Sequence, residues 1–116
     1  MDTRDIRYYV NEEKKTVAAV IDNCAEDAVA DLMDKFSNSF MPNLAMLIIP
    51  DTLKAKAKCH PDDEWNEEVG KQMAKEKLIR KYNRAKANAI KNYITEVSKF
   101  VAEASAIEER IRARSL

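Results

Sequence analysis

The chain has 116 residues, 20 of them basic and 20 acidic, with one His, one Gly, three Pro and two Cys. That length fits one domain, and a single Gly excludes a Gly-rich phosphate loop, a GxGxxG turn and a turn-heavy β-sandwich. One His argues against a His-based metal site, and the zero net charge hides an asymmetry, with twelve basic and five acidic side chains in residues 71–116 against five basic and ten acidic in residues 1–53.

Residues 6–10 and 16–21 are rich in β-branched and aromatic types, and the polar Asn11–Lys14 between them begins with a turn former. The pattern predicts a hairpin with a four- or five-residue loop and with Ile6, Tyr8 and Val10 on one side. Asn23 reads as an N-cap, with Glu26 three residues on as in a capping box. Ala25, Ala28, Val29, Leu32, Met33 and Phe36 then recur at helical spacing, predicting an amphipathic helix of about 14 residues that ends at Ser37–Ser39. The apolar run Leu44–Ile49 fits a buried strand or a helical turn. Leu53, Ala55, Ala57 and Cys59 alternate with Lys54, Lys56 and Lys58, which predicts a strand with a wet, basic face, and the three lysines read best as protection of a sheet edge.

Pro61 closes that strand, and Asp62, Asp63 and Glu64 stand where a helix N-terminus favours acids. From there to the end the apolar residues keep a helical rhythm. One helix over 63–112 would extend about 75 Å at 1.5 Å per residue, against a radius of gyration near 13 Å for a compact chain of this size. Either the segment folds back as two helices, with Asn83, Asn88 and Asn92 as the break region, or it buries its apolar stripe against another subunit. The whole is expected to be a single α+β domain: a small antiparallel sheet with one short helix in residues 1–60, and a long helical region over 62–114.

Candidates for chemistry are few. Cys24 and Cys59 are not in a CxxC pair, and no charged-then-apolar leader opens the chain, which predicts free thiols in a reducing, intracellular compartment. Cys59 and His60 are adjacent, so on a strand they point to opposite faces and do not form a nucleophile–base couple. The acidic run from Asp62 to Glu68 lacks the Gly-containing loop of a calcium site. No metal, cofactor or catalytic centre is expected. The basic stretch from Lys71 to Lys91 suggests an anionic ligand, nucleic acid or a subunit's acidic end, against the plainer reading of a solvated helix face. Tyr82, Asn92, Arg110, Arg112 and Arg114 are of the types that hold a nucleotide: an aromatic face for a base, an amide for a ribose hydroxyl, and guanidinium forks for phosphates. Arg110 and Arg114 share a helix face. From residue types alone the plainer reading is preferred, with Tyr82 and Tyr93 as core or rim aromatics and the arginines complementing the helix dipole.

The opening Ile6–Ile21 and the block Ala57–Ala74, with its C-x-P-x-D-x-W…E-x-x-G pattern, resemble small phage proteins of the first anti-Thoeris type, the signal-sponge family. Such proteins sequester the cyclic ADP-ribose isomer made by a bacterial TIR enzyme without cleaving it. The resemblance implies a cytoplasmic, non-catalytic protein of the infected host cell that assembles through dimers into larger rings, with pockets between subunits. It implies that Tyr82 and Asn92 fill the roles of the aromatic and the Asn on the long helical region, and that Arg110 and Arg114 are the paired arginines near the C-terminus; Arg112 offers the other register. The readings set against this one are a phage nucleic-acid-binding regulator, motivated by Lys71–Lys91, and a protein-directed inhibitor that uses the acidic N-terminal half.

Overall fold

The computed structural model describes residues 1–35 and 48–115, the side chain of Met33 excepted. It is an α+β fold in which one face of a three-stranded antiparallel sheet packs under two helices. Strand β1 (Arg7–Asn11) and strand β2 (Thr16–Ile21) form the expected hairpin, with Tyr9 opposite Ala18. Its turn closes where Asn11 Oδ1 accepts from the Lys14 amide at 3.1 Å and Lys15 takes a φ of 51°. A left-handed residue of this kind lets a short loop reverse the chain.

Helix α1 (Cys24–Lys35) follows at once. Asn23 stands at its head, but not as the predicted cap: its φ is 59°, outside the extended conformation of an N-cap residue. The first helical amide, that of Cys24, instead donates to the Asp51 carbonyl at 2.8 Å, so a segment next to β3 caps α1 through its backbone. Phe36, Ser37–Ser39 and Leu44–Leu47 lie outside the described residues. Of the rest of that apolar run, Ile48 is exposed and Ile49 buried.

Strand β3 (Leu53–Lys58) pairs antiparallel with β2, Lys56 opposite Ala18, so the order is β1-β2-β3. The alternation read from the sequence is the face pattern observed: Leu53 and Ala57 are buried, and the three lysines are exposed. The edge is protected from a second direction as well. Lys77 and Lys81, on the long helix, donate to the carbonyls of Lys56 and Lys54 at 3.1 and 2.8 Å.

Helix α2 runs without a break from Glu67 to Arg114. Of the two alternatives left open by the sequence, the fold-back with a break at Asn83, Asn88 and Asn92 is not the one observed. Asn in a helix interior costs well under about 1 kcal/mol against Ala, and here it is set among Ala85, Ala87 and Ala89 with neither Pro nor Gly nearby. The helix also starts later than the acidic cluster suggested. Asp62, Asp63 and Glu64 belong to the preceding loop, and Asn66 is the cap, its Oδ1 accepting from the Val69 amide at 3.1 Å. The first-turn acids are Glu67 and Glu68.

The inner sheet face, with Val17, Ala19, Ile21, Leu53 and Ala57, joins Cys24, Ala28 and Leu32 of α1 and Ala74, Leu78, Tyr82, Ala89 and Tyr93 of α2 in one core. Close approach of α2 to β2 depends on Gly70, since a Cβ there would stand 2.8 Å from Val17 Cγ2. Only part of α2 lies on the sheet. The radius of gyration is 21.4 Å and the molecule measures 78 × 28 × 17 Å. Beyond Tyr93 every described residue is exposed except Val97, which is half-buried. That overhang extends about 31 Å.

Candidate functional site

Tyr82 sits on the buried face of α2, 2% exposed. Its hydroxyl is the one buried side-chain polar atom without a hydrogen-bond partner among the described residues. Burial first, and the nearby Asp27 and Asp31 charges second, push the phenol up to about 12. The ring face is covered by Lys86, whose Nζ lies 4.7 Å from the ring centroid. A cation over an aromatic face is held by the ring quadrupole. The same Nζ is 2.7 Å from Asp31 Oδ2, and Lys35 reaches that oxygen at 3.1 Å. Hydrogen bonds from Lys86 and then Lys35 hold the Asp31 carboxyl below its ordinary range. Asp31, Lys86 and Tyr82 therefore form a clasp between α1 and α2. Sequence periodicity could not reveal it, because its two halves lie far apart along the chain. The local signals were the i, i+4 spacings of Asp31 to Lys35 and of Tyr82 to Lys86.

Asn92, Arg110 and Arg114 are exposed on α2. Arg110 Nε donates to the Ala106 carbonyl at 3.4 Å, and Arg112 pairs with Glu108. Along a straight helix Tyr82 and Asn92 are about 15 Å apart, and Tyr82 and Arg110 about 42 Å. The four residues singled out from the sequence thus share one helix and do not meet within one chain.

Half of the basic stretch is engaged. Lys71 lies 3.5 Å from Glu67, Lys77 and Lys81 are bound to the β3 edge, and Lys86 is bound to Asp31. Arg80, Arg84 and Lys91 are exposed and carry no ion pair among the described residues. The Cys59–Trp65 loop, part of the second resemblance block, caps the sheet–helix junction. Because β3 ends at Lys58, Cys59 and His60 are in this loop and not on a strand, so the alternation argument does not apply to them. The Cys59 thiol points to the carbonyls of His60, Asp63 and Glu64 at 3.4, 3.7 and 3.7 Å, while His60 Nδ1 accepts from the Asp62 amide at 3.2 Å. Next to it is a mainly apolar cavity of about 340 Å³ between Ala57, Trp65, Val69 and Met73. Cys24 is fully buried, and burial raises its thiol pKa.

The overhanging half of α2 continues the apolar character of the covered half. Tyr93, Val97, Phe100, Ala104, Ile107 and Ile111 follow one another at three- and four-residue steps, with Ile90, Ile94 and Val101 on the adjoining shoulder. Phe100 is 70% exposed and Ile111 61%. The sector is wider than the two-position seam of a two-stranded coiled coil. No family model, curated protein or solved structure matches the chain. Among the described residues no helix is long and apolar enough to cross a membrane.

Proposed function

We propose that this protein is a non-catalytic, oligomeric binder that sequesters a cyclic ADP-ribose-type nucleotide and so blunts a bacterial Thoeris defence. The observation that carries the oligomeric part is the exposed apolar half of α2, which the described residues of a single chain leave uncovered. The ligand and the defence system rest on the resemblance of residues 6–21 and 57–74. The two parts meet in one geometric requirement. Tyr82 and Arg110 are about 42 Å apart in one helix, so they can share a ligand only between two copies; a second α2 running antiparallel beside the first and crossing near Glu96 is the two-fold arrangement that brings them together. That crossing covers Ile94, Val97 and Phe100 in both copies. Each pocket then takes Tyr82 from one subunit and Arg110 and Arg114 from the other, while Asn92 stands about 15 Å along the helix from Tyr82. A base that stacks on Tyr82 has to displace Lys86 from the ring, and the freed ammonium becomes a third cation for the diphosphate.

Calorimetric titration with cyclic ADP-ribose isomers tests this reading. An Arg–phosphate hydrogen bond is worth roughly 1.5–3 kcal/mol, so Arg110→Ala with Arg114→Ala should weaken binding by at least about a hundredfold. Lysine at both positions should rescue it in part, keeping the charge without the fork. Unchanged affinity in the double Ala variant, with the oligomer intact, would remove these arginines from the site and turn attention to Arg112. A ligand recovered hydrolysed from the complex would show an enzyme instead.

A further inference from the structure

The sheet has a second face, which the proposed pocket does not use. Directly opposed residues of a sheet point to the same side, so the strand register reads as three cross-strand rows on the outer face: Arg7–Val20–Lys54, Tyr9–Ala18–Lys56 and Asn11–Thr16–Lys58. No described element covers this face. Its floor is Ala18 and Val20, 8% and 9% exposed. One wall is Tyr9, 55% exposed, beside Arg7; the other is the file of Lys54, Lys56 and Lys58, all exposed.

Tyr9 is held in place. Arg7 donates to its hydroxyl at 3.2 Å, lies 6.0 Å from its ring centroid, and is anchored by Asp22 at 2.7 Å, which in turn accepts from Thr52 at 3.0 Å. With Arg7 neutralised by Asp22, the face keeps three cations without an ion pair among the described residues, in a line at about 6.7 Å intervals, the two-residue repeat of a strand. They lie about 9.5 Å from Tyr9, two strand spacings across the sheet.

We infer that this outer face binds single-stranded nucleic acid, with an unpaired base stacked on Tyr9 and successive phosphates along Lys54, Lys56 and Lys58. The charge asks for a polyanion, and the regular file suits an extended one. The exposed aromatic at a base's distance from the cations favours unpaired bases over a duplex, whose bases are stacked on each other. The sheet face is a different surface from Lys71–Lys91, and its lysines carry no ion pair among the described residues.

Fluorescence anisotropy with a short labelled single-stranded oligonucleotide over a salt series tests the inference. Three phosphate contacts predict a slope of log affinity on log salt near about −2, and Lys54→Gln with Lys56→Gln should flatten it by about 1.4. Tyr9→Ala should weaken binding roughly 5- to 150-fold, and Tyr9→Phe should restore it. The matched duplex should bind more weakly. All these residues are exposed, and circular dichroism should report unchanged folding. The same variants should keep their affinity for cyclic ADP-ribose isomers, which separates this face from the intersubunit pocket. No binding at low salt, equal affinity for Tyr9→Ala and wild type, or polyglutamate competing as well as the oligonucleotide would each overturn the inference.

Discussion

The two halves of α2 are built from the same kinds of residue and meet opposite surroundings. From Ala74 to Tyr93 the apolar face lies on the sheet and is buried, with Leu78 and Ala74 at 0% exposure. From Ile94 to Ile111 a similar face is exposed except at Val97, which packs half-buried against the edge of the core, and Phe100 stands 70% exposed. The sequence pattern records that a face is apolar but not what covers it. For the first half the answer is intramolecular. For the second, the account gives the task to another copy.

The comparison can be broken most sharply in the covered half. Leu78→Ala removes a fully buried side chain between sheet and helix, and should cost about 2–5 kcal/mol of unfolding free energy in urea titration. The equivalent change in the overhang, Phe100→Ala, should alter the stability of an isolated chain by no more than about 0.5 kcal/mol, while lowering the sedimentation coefficient at micromolar concentration. If both variants lose stability equally in dilute, monomeric protein, the overhang is covered within the chain and the contrast disappears.

A smaller effect is expected at the closest contact between α2 and β2. Gly70→Ala improves helix propensity by about 1 kcal/mol but places a methyl group 2.8 Å from the buried Val17 side chain. The overpacking, about 1–3 kcal/mol, should dominate, so thermal denaturation should show a lower midpoint. A raised midpoint would mean that helix and sheet slide apart freely, and that the covered half is less firmly seated than its burial implies.

Much of this fold was legible in the sequence because its signals are local. The hairpin, the Lys-Ala alternation of β3 and the apolar rhythm of α1 and α2 each reflect a period of two or of about 3.6 residues. Three features were not legible, two because they depend on distant partners and one because two local caps compete. Asn23 stood where a cap belongs, yet the α1 amide is served by the Asp51 carbonyl. Asp62–Glu64 looked like a first helical turn, yet Asn66 caps α2. Asn83, Asn88 and Asn92 looked like a break, yet packing of Leu78, Tyr82, Ala89 and Tyr93 on the sheet supports the helix straight through them. The candidate site was less legible than the fold. Residue chemistry singled out Tyr82, Asn92, Arg110 and Arg114 but could not reveal the Lys86 and Asp31 clasp over the Tyr82 ring.

That clasp gives the smallest expected effect. Asp31 has its pKa lowered in the folded state by Lys86 and then Lys35, so its contribution is present above the ordinary aspartate range and is lost as pH falls through the lower folded value. Asp31→Asn should therefore narrow the stability gap between neutral and strongly acidic solution. An identical acid limb in wild type and variant would mean that the clasp adds nothing to how α1 is held on α2.

The account joins two claims, that a second copy covers the overhang and that a nucleotide lies between the copies. Native mass spectrometry of protein purified from cells producing the TIR signal reads both at once. The account predicts an even multiple of the 13.3 kDa chain carrying added mass equal to intact cyclic ADP-ribose isomer. A 13.3 kDa monomer with no retained nucleotide would contradict it.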